Sequence, residues 1–72
     1  MLQVRRLIQR GGYLQFENLI YRGEHLAGYA GESIVLRYDS RDITTVLVYR
    51  KEVNQEVFID RAFAMDLEIE QL

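Results

Sequence analysis

The chain has 72 residues, with nine Lys or Arg against eleven Asp or Glu, a net charge of -2, one histidine and no cysteine. At this length it forms one domain at most, whose single core gives roughly 3 to 5 kcal/mol of net stability. Disulfides and thiolate zinc sites are excluded, and one histidine rules out most histidine-based metal sites, so we expect no metal and no cofactor.

The apolar runs are short, and the N-terminal segment lacks a long apolar region followed by a small-residue cleavage site. We therefore predict no signal peptide, no membrane span and no membrane partner. The absence of cysteine fits a cytoplasmic location.

The first predicted element is a β-hairpin. Residues 4–9 and 13–16 have strand-like composition, and Gly11 and Gly12 between them can both adopt the positive φ of a two-residue type I′ turn. The resulting register predicts which side chains face the core and which face outward. Inward are Arg5, Leu7, Leu14 and Phe16, and outward are Ile8, Arg10, Tyr13 and Gln15.

Residues 19–22 read either as another short strand or as the continuation of the second strand past a bulge at Glu17-Asn18. Residues 23–31 predict one helical turn, because Leu26 and Tyr29 are three apart and glycines lie at both ends. His25 lies in this turn, and we interpret it as a surface histidine because no second ligand or nucleophile at readable spacing completes a site.

Residues 36–50 predict the two central strands of the domain, joined by a polar turn over residues 39–42. Alternation in the first strand turns Ile34, Leu36 and Tyr38 toward the core and Ser33, Val35 and Arg37 outward. Residues 45–50 are apolar on both faces, which indicates a strand covered on both sides. In the turn, we expect Asp39 to accept hydrogen bonds from the backbone, and Asp42 to do the same or to pair with Arg41.

Asn54-Gln55 is predicted to connect this pair to a further strand over residues 56–60. The last eleven residues, 62–72, contain three acids and no base, whereas residues 1–61 contain nine bases and eight acids, a net of +1. We therefore divide the chain into a β-barrel domain, 1–61, and an acidic C-terminal arm, 62–72. The arm alternates like a strand, but its composition also favours a helix.

Together these elements predict a mainly β fold: a small antiparallel β-barrel of five to six short strands with one short helical turn. Closure removes exposed sheet edges, which a chain rich in valine, isoleucine and tyrosine needs. Eight of the nine bases are arginine, which suits bidentate contacts with phosphate or carboxylate. We find no catalytic constellation, no metal site and no glycine-rich phosphate loop, and we expect the aromatic residues to serve mainly as core.

Two segments carry a family resemblance. YRGEHLAGYAGE at 21–32 and VLRYDSRDITTVLVY at 35–49 resemble the C-terminal β-barrel of Mu-type transposases. In particular they are similar to the TnsB-like transposases, including those of CRISPR-associated transposons, over roughly residues 13–62. Family members commonly have proline in the turn where this chain has Ser40.

The resemblance implies that the chain is a non-catalytic fragment of a DDE-type DNA transposase. In that family the barrel follows an RNase H-like catalytic domain, whose three metal-binding acids lie outside this chain. The barrel is expected to position transposon-end and target DNA in the synaptic complex. Implied partners are DNA, other transposase domains or protomers, and the AAA+ transposition partner, which would be reached through segments beyond this chain.

For the DNA role we predict sequence-independent backbone contacts. The candidate DNA-binding residues are Arg37, Arg41, Arg50, Lys51 and Arg10. A body of charge +1 with an arm of -3 would bind DNA weakly in isolation. The alternative is a protein–protein assembly module without DNA contact. Arginines gathered on one face would favour DNA, and arginines interspersed with acids around an apolar patch would favour protein.

Overall fold

The computed structural model describes residues 1–65 as six antiparallel strands that curve into a nearly closed barrel. The strands are β1 (Leu2–Leu7), β2 (Tyr13–Phe16), β3 (Leu19–Arg22), β4 (Ser33–Asp39), β5 (Asp42–Glu52) and β6 (Gln55–Ala64). One 3₁₀ turn, Leu26–Tyr29, connects β3 to β4. The predicted fold class is therefore confirmed. Over these 65 residues no helix has the length and hydropathy needed to cross a membrane.

The strands follow one another around the sheet in the order β1-β4-β5-β6-β3-β2. β5 lies between β4 and β6, as expected for the central strand. β1 and β2 are at the two ends of the sheet, and they meet at a single bridge in which the Gln9 amide donates to the Tyr13 carbonyl at 2.7 Å. The barrel is consequently closed at one end of this seam and open along the rest of it.

The predicted register of the first hairpin is wrong by one residue. β1 pairs with β4, and the Gln9–Tyr13 bridge leaves a three-residue loop over 10–12 instead of a two-residue turn. Gly11 and Gly12 do have positive φ, at 100° and 79°. Because side chains alternate in a strand, the one-residue shift exchanges the inward and outward side chains of β1. Ile8 is therefore fully buried, and Leu7 is 49% exposed. Arg5 lies outward as a result.

β2 and β3 form the tight hairpin at the start of the chain. Glu17 and Asn18 are its two turn residues, with φ of 53° and 64°, the left-handed conformation that a type I′ turn needs at both positions. Residues 19–22 are thus a separate strand, the first of the two predicted alternatives.

The inward residues of the central pair agree with prediction, but the expected cover on both sides of residues 45–50 is not found, because Leu47 and Tyr49 on the outer side of β5 are only half-buried. Ile34 and Leu36 of β4 and Val46 and Val48 of β5 are fully buried, and Tyr38 is packed against this core. Val35 was predicted to face outward, and the register does place it beside Tyr49 on the outer side, yet neighbouring side chains cover it almost completely.

β6 pairs with β5 along most of its length, as predicted for the strand after the central pair. Glu52 is opposite Gln55, so the turn between β5 and β6 consists of Val53 and Asn54. The predicted turn at Asn54-Gln55 is one residue too late in the sequence. β6 continues to Ala64, where it pairs with Tyr21 of β3. The predicted acidic arm lies outside the described residues from position 66 onward.

One buried carboxylate fastens the 3₁₀ segment to β6. Asp60 Oδ2 accepts a hydrogen bond from the backbone amide of His25 at 2.7 Å, and its Oδ1 accepts one from the amide of Arg61 at 2.8 Å. A buried carboxylate is stable when such donors satisfy it. Gly23 passes so close to Asp60 that a side chain there would collide with the carboxylate.

Candidate interaction surface

The strands β1, β4, β5 and β6 present a continuous outer face, on the side opposite the core. Residues directly opposite one another on paired strands share a face, so the register gives the members of this surface. One row across the strands is Arg5, Val35, Tyr49 and Phe58. The next row is Gln3, Arg37, Leu47 and Arg61, and Thr45 and Phe63 lie beyond it. We call this set the outer face.

Two large aromatic side chains are exposed on the outer face. Phe58 is 51% and Phe63 is 54% exposed, both on β6. Phe58 packs edge-to-face against half-buried Tyr49, with ring centres 5.6 Å apart. Leu47 adds half-buried apolar area on β5. A cluster of this kind on the surface of a small domain is typical of a binding site for another protein.

A bulge in β6 decides which residues join this surface. Val48 is opposite Asp60 and Tyr49 is opposite Phe58, so Ile59 is the extra residue. Without it, Phe58 and Asp60 would share a face. The bulge instead turns Phe58 outward and Asp60 into the interior.

Arg37 points out of the barrel, as predicted, but other side chains hold it in place. Its guanidinium donates to the Glu56 carboxylate, and the guanidinium carbon lies 4.0 Å from the centre of the Tyr49 ring. The hydrogen bond to Glu56 raises the pKa of Arg37 above its usual value. The positive charge of Arg37 is therefore balanced within the domain.

Arg41 lies at the tip of the β4–β5 turn and pairs with Asp39. The Asp39 carboxylate accepts from the Arg41 amide at 2.9 Å and from the Arg41 guanidinium at 3.2 and 3.3 Å. The guanidinium contacts, with the backbone bond, lower the pKa of Asp39. This confirms the predicted backbone bond to Asp39.

Asp42 follows the first of its two predicted alternatives. It accepts from the backbone amide of Thr44 at 3.1 Å and from the Thr44 hydroxyl at 2.6 Å. The hydroxyl bond is the larger of the two influences that lower the pKa of Asp42.

Arg50 lies on another side of the barrel, next to the 3₁₀ turn. Its Nε is 3.5 Å from an Oε1 of Glu32, and its guanidinium carbon is 6.0 Å from the centre of the Tyr29 ring. Three of the five predicted DNA-contacting residues, Arg37, Arg41 and Arg50, are thus paired with carboxylates.

The other two candidates are exposed. Lys51 shares a shallow cleft on the outer face with Arg5 and Glu56, and Arg10 lies in the β1–β2 loop. Within residues 1–65, neither has a carboxylate within 4.0 Å of its charged group. Arg41 precedes β5 and Lys51 lies near its far end, about 30 Å away at the usual rise of a strand. The five candidates are therefore spread over the barrel.

Two exposed arginines of the outer face were not among the candidates. Arg5 was assigned to the core side through the register error, and Arg61 follows the bulge that the sequence pattern did not reveal. Neither has a carboxylate partner among the described residues.

The titratable groups elsewhere form no metal site among the described residues, where no three His, Asp or Glu side chains lie close enough to hold an ion. The ring of His25 is exposed and 3.9 Å from Glu24. Tyr21 is buried, and its hydroxyl donates to the carbonyl of Ile43. Burial, with a smaller contribution from Glu17, raises the pKa of Tyr21.

Comparison with known proteins agrees with this architecture. The family model of the Mu transposase C-terminal domain matches residues 1–59, which is 59 of the 72 residues. No curated protein sequence matches the chain. The chain belongs to the Mu transposase C-terminal domain family.

Proposed function

We propose that this domain is a protein-docking module of a Mu-type transposase. Its outer face would hold the catalytic domain or a neighbouring protomer in the synaptic complex. The observation that carries the proposal is the presence of two half-exposed rings on the outer side of β6, Phe58, which packs against Tyr49, and Phe63, which is opposite Thr45. Aromatic residues and arginine are enriched in the centres of protein interfaces, where burial of a ring removes a large apolar area from water.

The charge distribution supports docking over DNA binding by the central arginines. To bind a phosphate, each of these arginines would have to break an ion pair. The pairs are Arg37–Glu56, Arg41–Asp39 and Arg50–Glu32. Each exchange would leave a carboxylate close to the DNA backbone, where like charges repel. Arginines interspersed with acids around an apolar patch are the pattern expected of a protein contact.

A second candidate function is sequence-independent contact with the DNA backbone. It is favoured by the five exposed bases without a carboxylate partner among the described residues: Arg5, Arg10, Arg22, Lys51 and Arg61. Phosphate contacts fix orientation without reading bases. With a net charge of -2, the chain would bind DNA usefully only beside more basic domains.

The wider assignment also stays a proposal. The motif at residues 35–49 supports a TnsB-like transposase, including those of CRISPR-associated transposons. In such a protein the chemistry would belong to a separate DDE catalytic domain, and an AAA+ partner would be recruited by segments beyond this chain. The domain itself would run no reaction, so the purified chain should not cleave DNA when Mg²⁺ or Mn²⁺ is added.

The docking proposal is tested by removing the two rings from the transposase that carries the domain. We expect Phe58→Ser with Phe63→Ser to reduce assembly of the transposase multimer on transposon-end DNA at least tenfold, measured by light scattering of the purified complex. The matched control is Val53→Ser, an apolar residue that is 96% exposed in the β5–β6 turn, away from the two rings. It should assemble like wild type.

Two results would contradict the proposal. The first is normal assembly by the double variant. The second is an equal loss with Val53→Ser, which would mean that any reduction of surface hydrophobicity disturbs the protein. A melting curve of each variant domain, checked against wild type, ensures that loss of assembly does not come from unfolding.

A further inference from the structure

The outer edge of β1 is open. β1 pairs with β4 on one side, from Leu2 to Leu7, and its other side faces β2, which it meets only at the Gln9–Tyr13 bridge. Among the described residues, no strand pairs with that second side of β1. Backbone amide and carbonyl groups along about 20 Å of strand are thus available to another strand.

A cleft of about 340 Å³ lies beside this edge. It opens between Arg6 of β1 and the tip of the β2–β3 hairpin, and Gln15, Phe16, Glu17, Asn18 and Ile20 complete its lining. Arg6 lies with its guanidinium carbon 5.5 Å from the centre of the Phe16 ring. The space next to the open edge therefore has an apolar floor, with Arg6 on the β1 side and Glu17 at the hairpin tip.

Among the six described strands, β1 has the largest net positive charge. It carries Arg5 and Arg6 and no acidic residue, and neither arginine has a carboxylate partner within residues 1–65. Arg6 instead donates to the carbonyl of Arg5 at 2.7 Å. Opposite charges on neighbouring strands stabilise a pair, and like charges destabilise it.

We propose that β1 accepts an extended acidic peptide as an added strand, which fills the open part of the seam. The peptide backbone would bond the free edge of β1. Its apolar side chains would turn inward toward Val4 and Phe16, and its acidic side chains would lie on the outer side, where they meet Arg5. Arg6 shares the inner side with Val4 and would stay over the Phe16 ring. Main-chain bonds of this kind provide affinity, and alternate side chains provide specificity. This site lies at the open edge of β1, whereas the proposed function uses the rings of β6; the two share only Arg5, at the border of the outer face.

Charge also argues against the other occupants. A second copy of β1 would bring Arg5 and Arg6 of each chain together, which disfavours a strand-paired dimer. DNA could meet the arginines, but it has no backbone amides and carbonyls with which to satisfy a strand edge.

The experiment uses the 72-residue chain and two blocked synthetic hexapeptides, one alternating glutamate with valine and one alternating lysine with valine. Amide hydrogen exchange is measured with each peptide. We expect the glutamate peptide to slow exchange at least tenfold at edge-facing amides of residues 2–7, and the lysine peptide to leave exchange unchanged. Arg5→Glu should weaken binding of the glutamate peptide at least tenfold. Arg61→Glu, the matched control on β6, should change it less than twofold.

Several results would overturn the proposal. Equal protection by both peptides would mean non-specific association, and protection confined to β6 would place the site at another edge. A dimer with β1 protected in the absence of peptide would identify a second copy as the occupant. Binding of a DNA duplex through Arg5 and Arg6, with no protection by the glutamate peptide, would assign the arginines to phosphate. The comparison of the two peptides on the unaltered chain does not depend on whether a variant folds.

Discussion

The Arg37 guanidinium carbon lies 4.0 Å from the centre of the Tyr49 ring, although the two residues are not direct partners. Arg37 is opposite Leu47, and Tyr49 is the next outward residue along β5, so the contact runs diagonally across the two strands. The same guanidinium continues to Glu56 on β6. One arginine therefore links three strands across the outer face, and its charge is used inside the domain.

If this link is cooperative, Arg37 and Glu56 should be coupled energetically. We expect Arg37→Ala and Glu56→Ala each to lower the free energy of unfolding, and the double variant to lose less than the sum of the two. The double-mutant cycle is measured by urea denaturation at low and at high salt. Strict additivity would mean that the ion pair contributes nothing to the folded state.

The β4–β5 turn should give the domain acid-sensitive stability. The pKa values of Asp39 and Asp42 are both lowered in the folded state, from a reference value of 3.8. A lowered folded pKa contributes stability that is complete above the unfolded pKa and is lost as the pH falls through the folded one. Thermal melts between pH 2 and pH 6 should therefore show stability falling below about pH 4.

Removing one of these carboxylates should reduce that dependence. Asp39→Asn keeps the size of the side chain and part of its capacity to accept from the Arg41 amide. We expect it to be less stable than wild type at pH 6 and to approach wild type at pH 2. A variant with the same acid sensitivity as wild type would show that Asp39 is not its source.

Gly23 should tolerate no side chain, in contrast to Gly28. A Cβ at Gly23 would collide with the Asp60 carboxylate, whereas a Cβ at Gly28 would meet nothing within 4 Å, and Gly28 has no positive φ. We expect Gly23→Ala to cost about 1 to 3 kcal/mol of unfolding free energy and Gly28→Ala to change it by less than about 0.5 kcal/mol. Equal values from chemical denaturation would show that Asp60 moves away at no cost.

Val48 should be intolerant of charge. It is fully buried at the centre of β5, so Val48→Asp would bury an unpaired carboxylate at a cost of several kcal/mol, comparable to the roughly 3 to 5 kcal/mol that such a core supplies. We expect the variant to lack a cooperative thermal transition. Val53→Asp, at a position that is 96% exposed, should melt like wild type.

Local sequence pattern predicted the strands and most of the core. Ile34, Leu36, Val46 and Val48 alternate with outward residues, and period-2 alternation depends only on neighbouring residues. The positive φ of Gly11 and Gly12 was also predictable from residue type alone.

Strand pairing was not predictable in the same way. Consecutive strands usually pair, yet β1 pairs with β4 across 25 or more intervening residues. The resulting one-residue difference exchanged Leu7 and Ile8 between surface and core. The bulge at Ile59 had a similar effect on Phe58 and Asp60, because an extra residue in one strand changes the face of everything after it.

The sequence predicted that Arg37 and Arg41 reach the surface, but not all of the carboxylates with which they pair. Arg37 and Arg41 do reach the surface, as alternation and the turn indicated. The carboxylate partner of Arg41 was predictable, because Asp39 is only two residues away. The partner of Arg37 was not, because Glu56 is nineteen residues away and reaches Arg37 only through the pairing of β5 with β6.

One measurement distinguishes most directly between protein docking and DNA contact. It is the salt dependence of DNA binding by the transposase that carries this domain. The slope of the logarithm of the binding constant against the logarithm of salt concentration is compared for wild type, Arg37→Ala and Arg41→Ala. We expect the same slope for all three, since Glu56 and Asp39 already balance these charges. A slope smaller in magnitude by about 0.9 for either variant would show that the arginine neutralises a phosphate, and would contradict the claim that its carboxylate partner already balances its charge; for Arg37 it would also contradict the docking role of the outer face.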